Sequence, residues 1–181
     1  MGIFRDFFTT AGSPSLDVIR PGLWRPSGDG DRDGPEDKSA VLEQYKLYVE
    51  MADRISARRA LANTFFLTLN TAVATAAGVF WNKPPDASAF LLAVPWLALV
   101  GQCLAWFWIL RSYRQLNTAK YAVIGAMEER LPASPYWRAE WAALGEGTDP
   151  RRYWPLSHVE SLIPGFFALI YTAAFVAVLV N

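Results

Sequence analysis

The stretch that decides the fold is ALANTFFLTLNTAVATAAGVFW, residues Ala60–Trp81, which contains no charged side chain. An α-helix rises about 1.5 Å per residue, so a run of this length crosses the roughly 30 Å hydrocarbon core of a bilayer. Two further uncharged runs follow it, Ala87–Leu110 and Ile163–Val180. Three such runs leave too little polar sequence to cover them as the core of a soluble protein. The sequence therefore predicts an integral membrane protein with transmembrane helices at residues 60–81, 87–110 and 163–180.

The basic residues around these runs predict how the chain is oriented. Loops on the cytoplasmic side of a membrane carry an excess of Lys and Arg. Such residues precede the first run and follow the second, whereas the loop between the two runs, Asn82–Asp86, holds only Lys83. The basic residues concerned are Lys46, Arg54, Arg58, Arg59, Arg111, Arg114 and Lys120. We therefore expect a bacterial inner-membrane protein with its N-terminus in the cytoplasm and its C-terminus outside.

The helical pattern continues beyond the first two membrane runs. Apolar residues recur at helical spacing from residue 39 up to the first run, and again from the second run to Pro132. Because a tight loop joins the two runs, the helices must be antiparallel. The sequence predicts an all-α fold in which residues 39–132 form a long helical hairpin with a cytoplasmic extension. An N-terminal arm and acidic loop (1–38) precede it, and an aromatic connecting segment (133–162) follows, ending in a capping-box pattern at Ser157 and Glu160.

A polar stripe lies inside the first membrane run. Four threonines are spaced by four, three and four residues, so they share one sector of about 60° on the helix, and two asparagines flank them. The stripe comprises Asn63, Thr64, Thr68, Asn70, Thr71 and Thr75. One interpretation is helix packing, because Thr and Asn form hydrogen bonds between helices and to their own backbone. The other is the wall of a pore, which requires an oligomer because three helices cannot enclose a channel.

Four arginines form a basic collar at the inner ends of the first two membrane runs: Arg58, Arg59, Arg111 and Arg114. One interpretation is interfacial anchoring, and the other is recognition of lipid headgroups or of a small anionic ligand. Unpaired charge near a bilayer is costly, so we expect acidic partners for the collar. The candidates are Glu50, Asp53, Glu128 and Glu160.

The sequence contains no recognised catalytic motif, so we expect no enzyme activity. The carboxylates Glu128, Glu129 and Glu140 occupy helical surface positions, where we expect solvated side chains.

No cofactor and no metal site are expected. Residues 29–34 begin like a calcium-binding loop, but Ala40 stands where the loop requires a bidentate glutamate. The chain has one histidine, His158, and one cysteine, Cys103, which is expected to pack as a small apolar side chain. The net charge of zero gives no reason to expect nucleic acid binding.

Three stretches resemble a known family. They are YKLYVEMADRISARRALANTFFLTLNTAV at Tyr45–Val73, RSYRQLNTAKYAVIGAMEERLP at Arg111–Pro132 and PLSHVESLIP at Pro155–Pro164. They are similar to the RipA-family octameric membrane proteins of bacteria, and the resemblance implies an eight-subunit assembly. The order of elements also resembles the SLATT class of small bacterial membrane proteins, which implies a pore-forming effector beside a nucleotide-sensing antiviral system.

Two functions follow as hypotheses. The first is a homo-oligomeric ring that forms, or is triggered to form, a pore or channel lined by the polar stripe. The second is a non-conducting oligomeric scaffold in which the stripe packs subunits together. In both, the expected partners are further copies of the chain, membrane lipids and a soluble cytoplasmic sensor or partner.

Overall fold

The computed structural model describes residues 14–24, 35–80, 89–147, 152–153 and 156–180. This part of the chain is helical and contains no strand, which confirms the all-α prediction. Within these residues the α-helices of eight residues or more are α1 (Leu16–Leu23), α2 (Pro35–Phe80), α3 (Ala89–Glu128) and α4 (Leu156–Val180). Between α3 and α4 lie a π-helical turn (Pro135–Glu140), a short α-helical turn (Trp141–Ala143) and a 3-10 turn (Gly145–Gly147). The aromatic arm at residues 1–8, most of the acidic loop and the loop at residues 82–86 lie outside the described residues.

Three of the helices, α2, α3 and α4, are long and apolar enough to cross a membrane by length and composition. This confirms the prediction of three membrane-spanning helices. Both α2 and α3 extend well beyond their uncharged stretches, since α2 has 46 residues and α3 has 40. The chain divides into two compact units, which we call the apolar unit (Arg58–Ser112 with Pro155–Asn181) and the polar unit (Met1–Ala57 with Tyr113–Trp154).

The apolar unit is a three-helix bundle centred on Trp106, which is fully buried. Its indole stacks on Phe66 of α2 with ring centroids 5.6 Å apart and lies 6.1 Å from the ring of Phe167 of α4. Within this unit α3 runs antiparallel to α2, because Asn63 contacts Trp106 while Asn70 contacts Cys103. The helix α4 runs parallel to α2, since Arg59 pairs with Glu160 and Asn70 with Tyr171.

The polar unit is built on a second antiparallel pairing of α2 with α3. Tyr45 bonds Glu128 at one end, and Asn117 donates to Ser56 at the other, at 3.4 Å. Small buried residues, including Ala52, Ala122 and Ala126, line the seam between the two helices and allow close packing. The short helix α1 attaches to this unit through its arginine, Arg20, which forms two hydrogen bonds to Glu129 at 2.9 and 2.6 Å.

The helix ends differ from those expected at three places. The helix α2 begins at Pro35, because proline is well suited to the first turn of a helix. The helix α3 ends at Glu128 rather than Pro132, and tight i+3 turns from Met127 and Glu128 follow it. The helix α4 begins at Leu156, ahead of Ser157, so Ser157 is not the N-cap and the capping-box interpretation is wrong. The carboxylate of Glu160 instead contacts Arg59.

Candidate functional site: the polar residues of the membrane bundle

The most deeply buried polar side chain of the apolar unit is Asn70, which is 0 % exposed. Its amide Nδ2 donates to the carbonyl of Phe66 at 2.7 Å, and its Oδ1 accepts the hydroxyl of Tyr171 at 2.8 Å. The Sγ of Cys103 lies 3.7 Å from the same Oδ1. A buried amide must satisfy both its donors and its acceptor, and these three partners come from all three helices of the bundle. Asn70 therefore joins α2, α3 and α4 within the subunit.

The other asparagine of the stripe, seven residues earlier in α2, has a similar role. Asn63 is half-buried, and its Oδ1 accepts a hydrogen bond from the indole Nε1 of Trp106 at 3.2 Å. Buried tryptophan N–H groups usually require an acceptor, and Asn63 supplies one inside an otherwise apolar core. Both asparagines thus pack the chain's own bundle.

The four threonines of the stripe occupy a different surface. Thr64, Thr68, Thr71 and Thr75 are all exposed on the single chain. At about 100° per residue their sector points about 140° away from the half-buried face of α2, which carries Phe66 and the two asparagines. The hydroxyl of Thr64 donates to the carbonyl of Ala60 at 3.0 Å, and that of Thr75 donates to the carbonyl of Thr71 at 2.9 Å. We call these four residues the threonine face of α2.

The collar arginines fall into different environments. Arg59 and Glu160 form an ion pair, Nε to Oε2, at 3.4 Å, with side chains 20 % and 13 % exposed. The two atoms are not aligned as a hydrogen bond, because Arg59 Nε has no hydrogen-bond partner among the described residues. Arg111 lies over the ring of Trp108, 5.9 Å from its centroid, and Arg58 is exposed. Arg114 belongs to the polar unit and is half-buried there.

Of the expected acidic partners, Glu160 pairs with a collar arginine, Arg59. Glu50 instead pairs with Arg54 at 2.7 Å, four residues further along the same helix. Pro164 lies one turn after Glu160 and is fully buried, so the carbonyl of Glu160 lacks its usual helical donor. The ion pair therefore sits where α4 is locally weakened.

Glu128 was expected to be solvated, and that expectation is wrong: it is only 2 % exposed. Its carboxylate accepts four hydrogen bonds, from the hydroxyls of Tyr45 (3.0 Å) and Ser134 (2.6 Å) and from the backbone N–H groups of Tyr136 (3.0 Å) and Trp137 (3.0 Å). The two backbone donors open the π-helical turn, where N–H groups have no partner within the turn. Glu128 thus caps this turn and fixes it to Tyr45 of α2 and to the end of α3.

The same turn packs directly on the backbone of α3. The indole of Trp137 lies over Gly125, so close that a Cβ added at Gly125 would be 2.5 Å from Cδ2. Lys120 is also buried at this level, and its ammonium lies 4.3 Å from the ring centroid of Tyr48. Sequence reasoning missed this cluster, because a lone glycine and a lone lysine inside a helix carry no signal of a tertiary contact.

No group of three or more His, Cys, Asp or Glu side chains is arranged to hold a metal ion within the described part of the chain. Cys103 is buried in the bundle beside Asn70, as its apolar surroundings in the sequence suggested. The two asparagines of the bundle therefore take part in hydrogen bonds between helices, and Arg59 and Glu160 form an ion pair near the start of α4.

A model of the Octameric membrane protein family (8xMP) matches residues 42–180, which is most of the 181-residue chain. The chain belongs to the octameric membrane protein family. This confirms the family resemblance drawn from the sequence. No curated protein and no solved structure matches the chain significantly.

Membership of the octameric membrane protein family bears on the location and on the assembly of the chain. The chain is an oligomeric membrane protein, and the family points to a homo-oligomer of eight copies. In a closed ring of identical chains each copy must offer two different lateral faces to its neighbours. The exposed surfaces of α2, α3 and α4 are therefore the surfaces that neighbouring copies, lipid or a central space must cover.

Proposed function

We propose that this protein forms an octameric pore in the inner membrane of a bacterium, and that the threonine face of α2 contributes to the pore wall. The observation that supports this most is the direction of the four threonines. They are exposed on the single chain and point away from the bundle formed by α2, α3 and α4. Polar side chains in a membrane span generally face protein or water rather than lipid. Eight copies would supply the walls that one chain lacks.

The chemistry of the threonine face suits the passage of water and small hydrated ions. Thr64 and Thr75 use their hydroxyl hydrogens on backbone carbonyls, so their oxygen lone pairs stay available as acceptors. A wall of hydroxyl oxygens stabilises hydrated cations without binding them tightly, as conduction requires. The face carries no charged side chain, so we expect weak selectivity between cations.

The polar unit would face the cytoplasm, since the arginines lie at the corresponding ends of the spans. The helices α2 and α3 both run without interruption from the apolar unit into the polar unit. A signal bound by the polar unit would therefore act on the same helices that carry the pore wall, as an effector of this type needs. The proposed function is non-catalytic.

The test compares two double variants with the wild type in bacteria that carry a voltage-sensitive dye. Thr68→Val with Thr71→Val keeps the side-chain volume but removes both hydroxyls. Thr68→Ser with Thr71→Ser keeps the hydroxyls and is the matched control. Native mass spectrometry of the purified assemblies reports whether eight copies remain together.

We expect the wild type and the serine variant to depolarise the membrane, and the valine variant to assemble as an octamer without doing so. Equal depolarisation by all three proteins would contradict a pore lined by the threonine face. No depolarisation by the wild type, when the full-length protein is confirmed to be abundant in the membrane, would favour the scaffold.

The second candidate is the non-conducting scaffold, and one observation favours it. The hydroxyls of Thr64 and Thr75 already donate within their own helix, so the threonine face can pack against a neighbouring subunit without water. In that case none of the three proteins would depolarise the membrane, and the bulkier Thr68→Leu would lose octamers by overpacking the face. A soluble cytoplasmic partner would then bind the ring of polar units.

A further inference from the structure

Gln102 carries the side-chain amide of α3 within the uncharged stretch of residues 87–110. The side chain is half-buried, and its Nε2 atom is shielded from solvent with no hydrogen-bond partner among the described residues. An amide has two donor hydrogens and an acceptor oxygen, and the hydrocarbon of a bilayer offers nothing to either. The amide of Gln102 therefore needs a partner that the described part of the chain does not supply.

Gln102 lies near the middle of the membrane-spanning bundle. Its neighbour Cys103 contacts Asn70, and Asn70 accepts a hydrogen bond from Tyr171. Asn70 and Tyr171 are at the centres of the uncharged runs of α2 and α4. This depth is the furthest from water on either side of a bilayer, so contact between a polar amide and lipid is most costly here.

The direction in which Gln102 lies on α3 follows from its neighbours on the helix. Trp96, which stacks on Phe175 of α4, is six residues earlier and therefore about 120° away around the helix. Trp106, which stacks on Phe66 of α2, is four residues later and only about 40° away. Gln102 is on the opposite side of Trp106 from Trp96. It therefore lies on the flank of α3 that is next to α2 and away from α4.

The threonine face of α2 lies towards the same side of the bundle. Arg59 of α2 pairs with α4, and Asn63, about 40° further around the helix, bonds to α3. Thr71 is about 80° beyond Asn63 in the same direction, and it follows Asn70 at the level of Gln102. The outer groove between α2 and α3, on the side away from α4, is therefore bordered by Thr71 on one helix and by Gln102 on the other.

We propose that Gln102 is a further lining residue of the pore and that its amide determines how strongly the pore wall attracts cations. This inference rests on the proposed function, because it assigns Gln102 to the same wall as the threonine face. In the octamer, eight amides would lie at the middle of the membrane beside eight copies of Thr71. An amide has a larger dipole than a hydroxyl, and its oxygen can replace a water molecule around a cation. Water in the pore would in turn accept hydrogen bonds from Gln102.

The first test measures ion selectivity in planar lipid bilayers that separate unequal concentrations of potassium chloride. Gln102→Glu replaces each amide by a carboxylate, and a ring of carboxylates should raise the ratio of potassium to chloride permeability by about tenfold or more. Gln115→Glu is the matched control, because it makes the same change at an exposed position of the polar unit and should leave the ratio unchanged. If the wild type conducts and the two variants have equal ratios, the assignment of Gln102 is wrong and the pore itself stands.

The second test measures access of water to Gln102 and does not require current. Gln102→Cys and Leu104→Cys are each made in a Cys103→Ala background, because Cys103 is the only cysteine of the chain. Leu104 is 56 % exposed on the single chain but lies about 160° from Gln102 around α3. A charged, membrane-impermeant methanethiosulfonate reacts with the thiolate, which forms in water and not in lipid or in a dry subunit contact.

We expect labelling at position 102 to be at least about tenfold faster than at position 104. Equally slow labelling at both positions, in membranes that contain octamers, would show that lipid or a neighbouring copy covers Gln102 and would overturn the inference. Fast labelling at position 102 without current from the wild type would instead contradict the proposed conduction, while supporting contact between Gln102 and water.

Discussion

Replacing Glu128 with alanine tests how the segment after α3 is held in place. The carboxylate of Glu128 accepts four hydrogen bonds, and two of their donors are the backbone N–H groups of Tyr136 and Trp137. After truncation the hydroxyls of Tyr45 and Ser134 can turn towards other acceptors. The two backbone donors cannot turn, because the π-helical turn fixes their direction.

The cost follows from these two backbone groups. Each buried donor left without an acceptor costs about 1–3 kcal/mol, and loss of an N-cap costs about 0.5–2 kcal/mol. Tyr136 is partly exposed, so water compensates for some of the loss and an overall cost of about 3 kcal/mol is expected. For a chain of this length that lowers the melting temperature by about 6–12 °C.

The assay is thermal unfolding of the purified protein followed by circular dichroism, together with the rate of trypsin cleavage at Arg138 in the released turn. Glu140→Ala is the matched control, because it removes an exposed carboxylate from the same turn and should cost less than about 0.5 kcal/mol. A melting temperature and a cleavage rate for Glu128→Ala equal to those of Glu140→Ala would refute the capping role.

Three further perturbations test other contacts. Gly125→Ala should destabilise the protein by about 1–3 kcal/mol through collision with Trp137, and a gain in melting temperature would show that the indole moves away freely. In a double-mutant cycle, Asn70→Leu and Tyr171→Phe should show a coupling of about 0.6–1.7 kcal/mol in unfolding from detergent, whereas additive effects would deny the hydrogen bond between them. The hydrogen bond from Arg20 of α1 lowers the pKa of the Glu129 carboxyl from its ordinary value of 4.5. Because the ionised carboxylate holds Arg20, the attachment of α1 is retained above pH 4.5 and is lost as the pH falls below it. Amide hydrogen exchange in α1 should therefore accelerate in acid, and Glu129→Gln should abolish that dependence.

The three membrane helices could be predicted because length and charge decide them. A run such as Ala60–Trp81 has no soluble alternative, since nothing in the remaining chain could cover it. The antiparallel relation of α2 and α3 followed from the short loop between them. The ends of the helices could not be predicted as well, because they depend on tertiary contacts such as the carboxylate of Glu128 over the turn at Pro135.

Glu128 illustrates what a single sequence hides. A glutamate beside a second glutamate on a polar helix resembles a solvated residue, and the adjacent Glu129 does lie at the surface, paired with Arg20. The useful signal was six and seven residues further along, where Ser134 and Pro135 begin a new turn whose first N–H groups need acceptors. The sequence shows that need but not which carboxylate meets it.

The polar stripe divides according to the chemistry of its side chains. An asparagine amide has two donors and one acceptor, and its own helix satisfies only part of them, so Asn63 and Asn70 lie where α3 and α4 supply partners. A threonine hydroxyl can satisfy its donor on the carbonyl four residues earlier, as Thr64 does, and so tolerates an outward position. Asparagines within a membrane helix therefore mark the face that packs inside the subunit. Threonines about 100° or more away mark the face that contacts a neighbouring copy, lipid or a central space. The threonine face is therefore the appropriate target for tests of conduction.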